Sequence, residues 1–135
     1  MPSAAWSLQK AVFAALAADA PLIALLGAAR IYDDVPQSSD FPYLAFGQAT
    51  ARDWSTGSED GSEHILTLNV WSQAKGRSEV HEIMAAARTA LHGQPLTLDG
   101  HRLINLRHES SEARRASDGE TYHGIARFRA VTEPA

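Results

Sequence analysis

Apolar residues recur at steps of three and four near the start of the chain. Ala5, Leu8, Val12, Ala15 and Leu16 share one arc, which predicts an amphipathic helix from about Ala4 to Ala18. Trp6 and Phe13, seven apart, are expected to widen that arc. Asp19-Ala20-Pro21 turns the chain, and Pro21 suits the first turn of a helix because the amide it lacks would have no partner there. Leu22 to Leu26 makes one short helix before Gly27 stops it.

The period then changes from helical to alternating. Ile31 to Pro36 reads as a short strand, Gln37 to Pro42 as a polar connector, and Tyr43 to Ala51 as a strand with Leu44 and Phe46 on one face. Arg52 to Glu63 is polar and glycine-containing, so it reads as an exposed loop or long hairpin tip. His64 to Trp71 alternates, with Leu66, Leu68 and Val70 inward and Ile65, Thr67, Asn69 and Trp71 on the other face. Ser78 is the expected N-cap of a second long helix reaching His92, with Val80, Ile83, Met84, Ala87 and Leu91 as its buried stripe; Gly93 and Pro95 end it. Leu96 to Leu98, the turn Asp99-Gly100, and His101 to His108 predict a hairpin. Glu109 to Glu120 reads as a second polar loop. Tyr122 to Val131 is the last strand, with Gly124, Ala126 and Phe128 on one face and Arg127 and Arg129 on the other.

Helix, strands, helix, strands is the order of an α+β domain: a mostly antiparallel β-sheet with two main helices packed on one side. Leu8, Val12, Leu16, Leu44, Phe46, Leu66, Leu68, Val70, Ile83, Ala87 and Leu91 are expected to share its core. The 135 residues show no internal repeat and no dividing linker, so residues 1–135 are read as a single domain.

Composition narrows the function mostly by exclusion. With no cysteine, a disulfide framework, a zinc ribbon or a thiol nucleophile cannot be built. A net charge of −4 disfavours the clustered Lys and Arg of a DNA-binding surface, yet suits a surface past which DNA slides. No apolar stretch is long enough for a membrane span, and the first residues lack a basic segment followed by an apolar run. The expectation is a protein made in the cytoplasm.

His81-Glu82 opens like a zinc-protease helix motif, but Ala85 stands where the second histidine would have to lie one turn on. The other histidines lack ligand spacing. Ser58 lies among glycines without the order of a nucleophile elbow, and no phosphate-binding glycine loop is present. Asp33-Asp34 and Glu59-Asp60 read as solvated pairs. No catalytic residue, cofactor or metal is assigned.

Protein contacts are the remaining chemistry. Trp54 sits among polar residues, and Trp71 ends its strand opposite the inward leucines; large aromatics without an evident core often mark interfaces. The candidate interface residues are Arg52, Asp53, Trp54, Glu59, Asp60, Trp71, Arg114 and Arg115.

Arg30-Ile31-Tyr32-Asp33-Asp34-Val35-Pro36 followed by Phe41-Pro42-Tyr43-Leu44-Ala45-Phe46-Gly47 resembles the opening strands of the tail-terminator (tail-completion) proteins of long-tailed phages and gene transfer agents. Leu66 to Ser72, a helix ending Ala90-Leu91, Leu96 to Gly100, and Phe128 to Val131 extend the resemblance over nearly the whole chain. The resemblance implies a non-enzymatic homo-oligomer, usually a ring of six subunits, at the head-tail junction of the virion or gene transfer agent particle; because weak contacts repeated around a ring gain from a tube template, the isolated chain is expected to be monomeric. Its implied partners are the major tail tube protein and the head-tail connector or stopper, with DNA passing through the ring without specific binding. A head-to-tail stopper or connector component is the alternative reading, and a small cytoplasmic enzyme a more distant one.

Overall fold

The computed structural model describes residues 3–135. Its elements are α1 (Ala4–Ala17), α2 (Ala20–Leu26), β1 (Ile31–Tyr32), β2 (Tyr43–Asp53), β3 (Ser62–Ser72), α3 (Ser78–Leu91), β4 (Thr97–Leu98), β5 (His101–Arg115) and β6 (Tyr122–Pro134). The fold is α+β. The strands form one sheet in the order β1-β2-β3-β6-β5-β4, antiparallel throughout except where β1 lies parallel to β2.

Local chemistry explains the helix ends. Ser3 Oγ accepts from the Trp6 amide at the start of α1, and Asp19 accepts from the Leu22 amide at the start of α2. Gly27 closes α2 at φ 83°, a left-handed conformation that glycine adopts without Cβ strain. α1 and α2 meet at 77°, and among the described residues no single helix is long and apolar enough to cross a membrane.

The core lies between the helices and one face of the sheet. Leu8, Val12, Leu16, Leu22 and Leu26 meet Leu44, Leu66, Leu68, Val70 and Phe128, with Val80, Ile83, Met84, Ala87 and Leu91 of α3 above them. Gly124 of β6 lets α3 approach closely: a Cβ there would lie 2.4 Å from Val80 Cγ1.

Several expectations are corrected. Trp6 and Phe13 do not widen the buried arc of α1; they are 48% and 42% exposed. At about 100° per residue both stand some 100–120° from the centre of the Leu8–Val12–Leu16 stripe, beyond its reach. Phe46 is half-buried at the rim and packs against the core from there. Ser78 is the first residue of α3 and does not cap it; Arg77 holds the cap position without a side-chain hydrogen bond. The first strand stops at Tyr32.

Both polar loops are largely strand. Arg52 pairs with Glu63 and Asp53 with Ser62, so the first loop shrinks to a tip of residues 54–61. β5 runs on to Arg115, paired with Tyr122, and the second loop shrinks to 116–121. A ladder is held by backbone groups, so a strand exposed on both faces needs no apolar residues; polarity there reports exposure and not irregularity.

Candidate functional site

The candidate interface residues separate into two groups at opposite ends of the sheet. Ser62 of β3 lies opposite Thr132 of β6, and Ser72 opposite Tyr122. The 54–61 tip therefore sits at one end and the 116–121 turn at the other, about 36 Å apart for eleven residues of strand. Arg52, Asp53, Trp54, Glu59 and Asp60 belong to the first end; Trp71, Arg114 and Arg115 belong to the second.

At the first end a salt-bridge cluster holds Trp54. Glu63 accepts from Arg52 Nε at 2.5 Å and from Arg129 Nε at 2.6 Å. Both guanidinium groups lie over the Trp54 ring, at 5.1 and 5.3 Å from its centroid, where the negative ring face attracts them. The ring stays 47% exposed. Arg129 and Arg52 together hold the Glu63 carboxyl below the usual carboxylate range. Asp53 accepts from the Ser55 hydroxyl and amide, which lowers its pKa. Thr56 and Glu59 hydrogen-bond across the tip. Glu59 and Asp60 make no ion pair among the described residues and face solvent, so the tip presents two uncompensated carboxylates.

The second end is aromatic and basic. Trp71 stacks on His123, with centroids 3.8 Å apart and planes 8° from parallel, and His123 Nε2 hydrogen-bonds Asn69 Oδ1 at 2.7 Å. Burial, with Arg114 nearby, pushes the His123 pKa down. Arg77 and Arg115 lie over the Tyr122 ring at 5.4 and 5.7 Å. Asp118 ties the turn together by accepting from the Glu120 and Thr121 amides and the Thr121 hydroxyl. An open hollow of about 580 Å³ lies between 73–76 and this turn, with Lys75 and Arg115 on its wall.

Both tryptophans thus fold back onto their own sheet while keeping exposed surface. The motif residues that suggested chemistry lie apart from these ends: His81 and Glu82 are exposed on α3, Asp33 accepts from Gln9, and His64 is buried against Thr132 Oγ1 at 2.9 Å. Sequence reasoning passed over one exposed surface, the outer side of α1 bearing Trp6 and Phe13. Their angular offset from the buried stripe was the available signal.

The family model described as "Tail completion protein gp17" matches residues 10–133. Tail completion protein gp17 of Bacillus phage SPP1 is 25% identical over 123 residues, covering 91% of this chain and 90% of that protein. A chain from the solved virion of a native gene transfer agent particle is 32% identical, with a TM-score of 0.88 over 98% of this chain and 99% of that one. The solved structure of bacteriophage SPP1 gp17 shares the fold, with a TM-score of 0.64 at 22% identity over 94% and 89% of the two chains.

Proposed function

Because the chain belongs to the tail completion protein gp17 family, a structural and non-enzymatic family of phage and gene transfer agent particles, we propose that it forms the ring that terminates the tail tube and joins it to the head. The observation that carries this reading is the division of interface chemistry between two ends of one long sheet. A terminator must meet two different partners, and each end offers a different surface: a carboxylate-tipped hairpin with Trp54 at one, arginines around Trp71 and Tyr122 at the other.

In this reading one end meets the major tail tube protein and the other the head-tail connector or stopper, while copies of the chain close a ring between them. DNA passes through the lumen without specific binding, in keeping with the net charge of −4. Repeated contacts around a ring let each be weak, because a tube end holds the subunits at high effective concentration.

The test replaces Trp54 by Ala and, separately, Arg114 and Arg115 by Glu, and images the particles. Truncating an aromatic anchor commonly costs about 2 kcal/mol or more, so the expected result is unjoined heads and tails of abnormal length. If both variants fold and yield normal tails joined to heads, neither end carries the contact.

A further inference from the structure

The sheet leaves part of each outer strand unpaired. β1 pairs with β2 only at Leu44 and Ala45, so β2 is open beyond them. The Trp54 amide donates inward to the Gly61 carbonyl. Alternation along the strand therefore turns the amides and carbonyls of Ala49, Ala51 and Asp53 outward. On the far side, β4 pairs with β5 only at Arg102 and His101, and the segment after α3 covers the next stretch: Gly93 donates to the Leu106 carbonyl and His92 Nδ1 accepts from the His108 amide. Beyond that cover the Ala116 amide points inward to Thr121, which turns the backbone groups of Ser111, Ala113 and Arg115 outward. Exposed edges of this kind pair with another strand or are blocked. No strand, helix or proline covers either segment among the described residues.

We propose that neighbouring copies of this chain join edge to edge, the open half of β2 on one copy pairing with the open half of β5 on the next. This rests on the ring reading above and names its subunit contact. Three observations select the pairing. β2, β3, β6 and β5 alternate in direction, so copies standing side by side in one orientation bring β5 against β2 antiparallel. The two edges are different surfaces, as a heterologous, ring-closing contact requires. Charge and facing choose the register. Ala51 lies opposite core-facing His64, and Ala113 opposite core-facing Gly124. Placing Ala51 opposite Ala113 of the next copy keeps both side chains on the helix-covered face. It also sets Arg52 against Glu112 on the other face. Sliding by two residues one way opposes Arg52 with Arg114, and the other way opposes Asp53 with Glu109; both are like-charge pairs.

The pairing is staggered. Within one copy Ala51 is level with Leu106, through His64 and Ala130. Ala113 is seven residues further on, an offset of roughly 23 Å along the strand between neighbouring copies, which tilted strands absorb when the ring closes. A sheet closed on itself always carries such a fixed stagger. Trp6 flanks the β2 edge, lining a hollow of about 260 Å³ with Ala49 and Thr50, and a strand added there covers an aromatic otherwise 48% exposed.

The absence of cysteine makes the test clean. Ala51→Cys with Ala113→Cys places two thiols at the Cα separation of a hydrogen-bonded antiparallel pair, about 5.5 Å, within disulfide range. Oxidation of concentrated protein and of particles built with this variant is expected to give a ladder of covalent multimers on a non-reducing gel. Thr50→Cys with Arg107→Cys, level and on one face in an unstaggered arrangement through Ile65 and Arg129, is expected to give none. Ala51→Pro removes an outward donor while leaving the β2–β3 ladder intact, and is expected to give a folded monomer that does not enter particles. An oligomer of normal mass without the 51–113 disulfide, or with the 50–107 disulfide instead, overturns the edge pairing and leaves the ring standing. A chain that is monomeric both in solution and in particles overturns both.

Discussion

Leu68 shows how much of this molecule rests on single buried side chains. It is fully buried and faces the core at the centre of β3. Leu68→Ala should cost about 2–5 kcal/mol, the range for buried leucine truncations that leave a cavity, and a thermal melt of the purified variant checks it. Three histidines act together at the same scale. Burial holds His64, His108 and His123 below the ordinary imidazole value, with His101, Arg88 and Arg114 respectively adding to the effect. A depressed folded pKa means that the unfolded chain takes up these protons first. Their contribution is therefore fully present above about pH 6.5 and is lost as pH falls from there through the folded values. The melting temperature should decline from pH 7 towards pH 5, and His64→Gln should flatten part of that slope. A melting temperature constant over this window would count against it.

Elements meet here through small contacts that tolerate little change. α3 packs on β6 across Gly124, where a methyl group would lie 2.4 Å from Val80 Cγ1 and 2.9 Å from Met84 Sδ. Gly124→Ala should destabilise the protein by about 1–3 kcal/mol through overpacking. Adding Val80→Ala should recover part of that loss by opening the space, so urea denaturation of the single and double variants gives a direct check. The two hairpins are held by polar contacts instead. In each, one strand is exposed over its distal part, β2 in the first and β5 in the second, and the tips are held by Asp53 and Asp118 as hydrogen-bond acceptors. Both carboxyls sit below their usual range because of those bonds.

At the scale of the whole molecule the chain belongs to a structural, non-enzymatic family. Elemental analysis of purified protein should find no stoichiometric metal, and nucleotide addition should leave its melting temperature unchanged. One zinc per chain, lost in His81→Ala, would contradict this. Sedimentation should show monomer at micromolar concentration, since each edge contact is short and a ring gains its stability from closure on a template. A stable ring at that concentration would mean that one subunit contact suffices without the tube.

The hydrophobic pattern by itself determined the α+β class, the phase of β3 and α3, and most of the core, because apolar period follows directly from which face of an element is buried. The order and spacing of its short runs also carried the tail-completion resemblance. The sequence did not decide where the polar strands end. Arg52-Asp53 and Glu109 to Arg115 pair through backbone groups that side-chain polarity does not report. Nor did it decide which tryptophan faces are covered, since the partners of Trp54 and Trp71, Arg129 and His123, arrive from β6, more than fifty residues away. Only the sheet order separates the candidate residues into two ends and leaves two edges open, because strand neighbours are chosen by long-range pairing and not by local period.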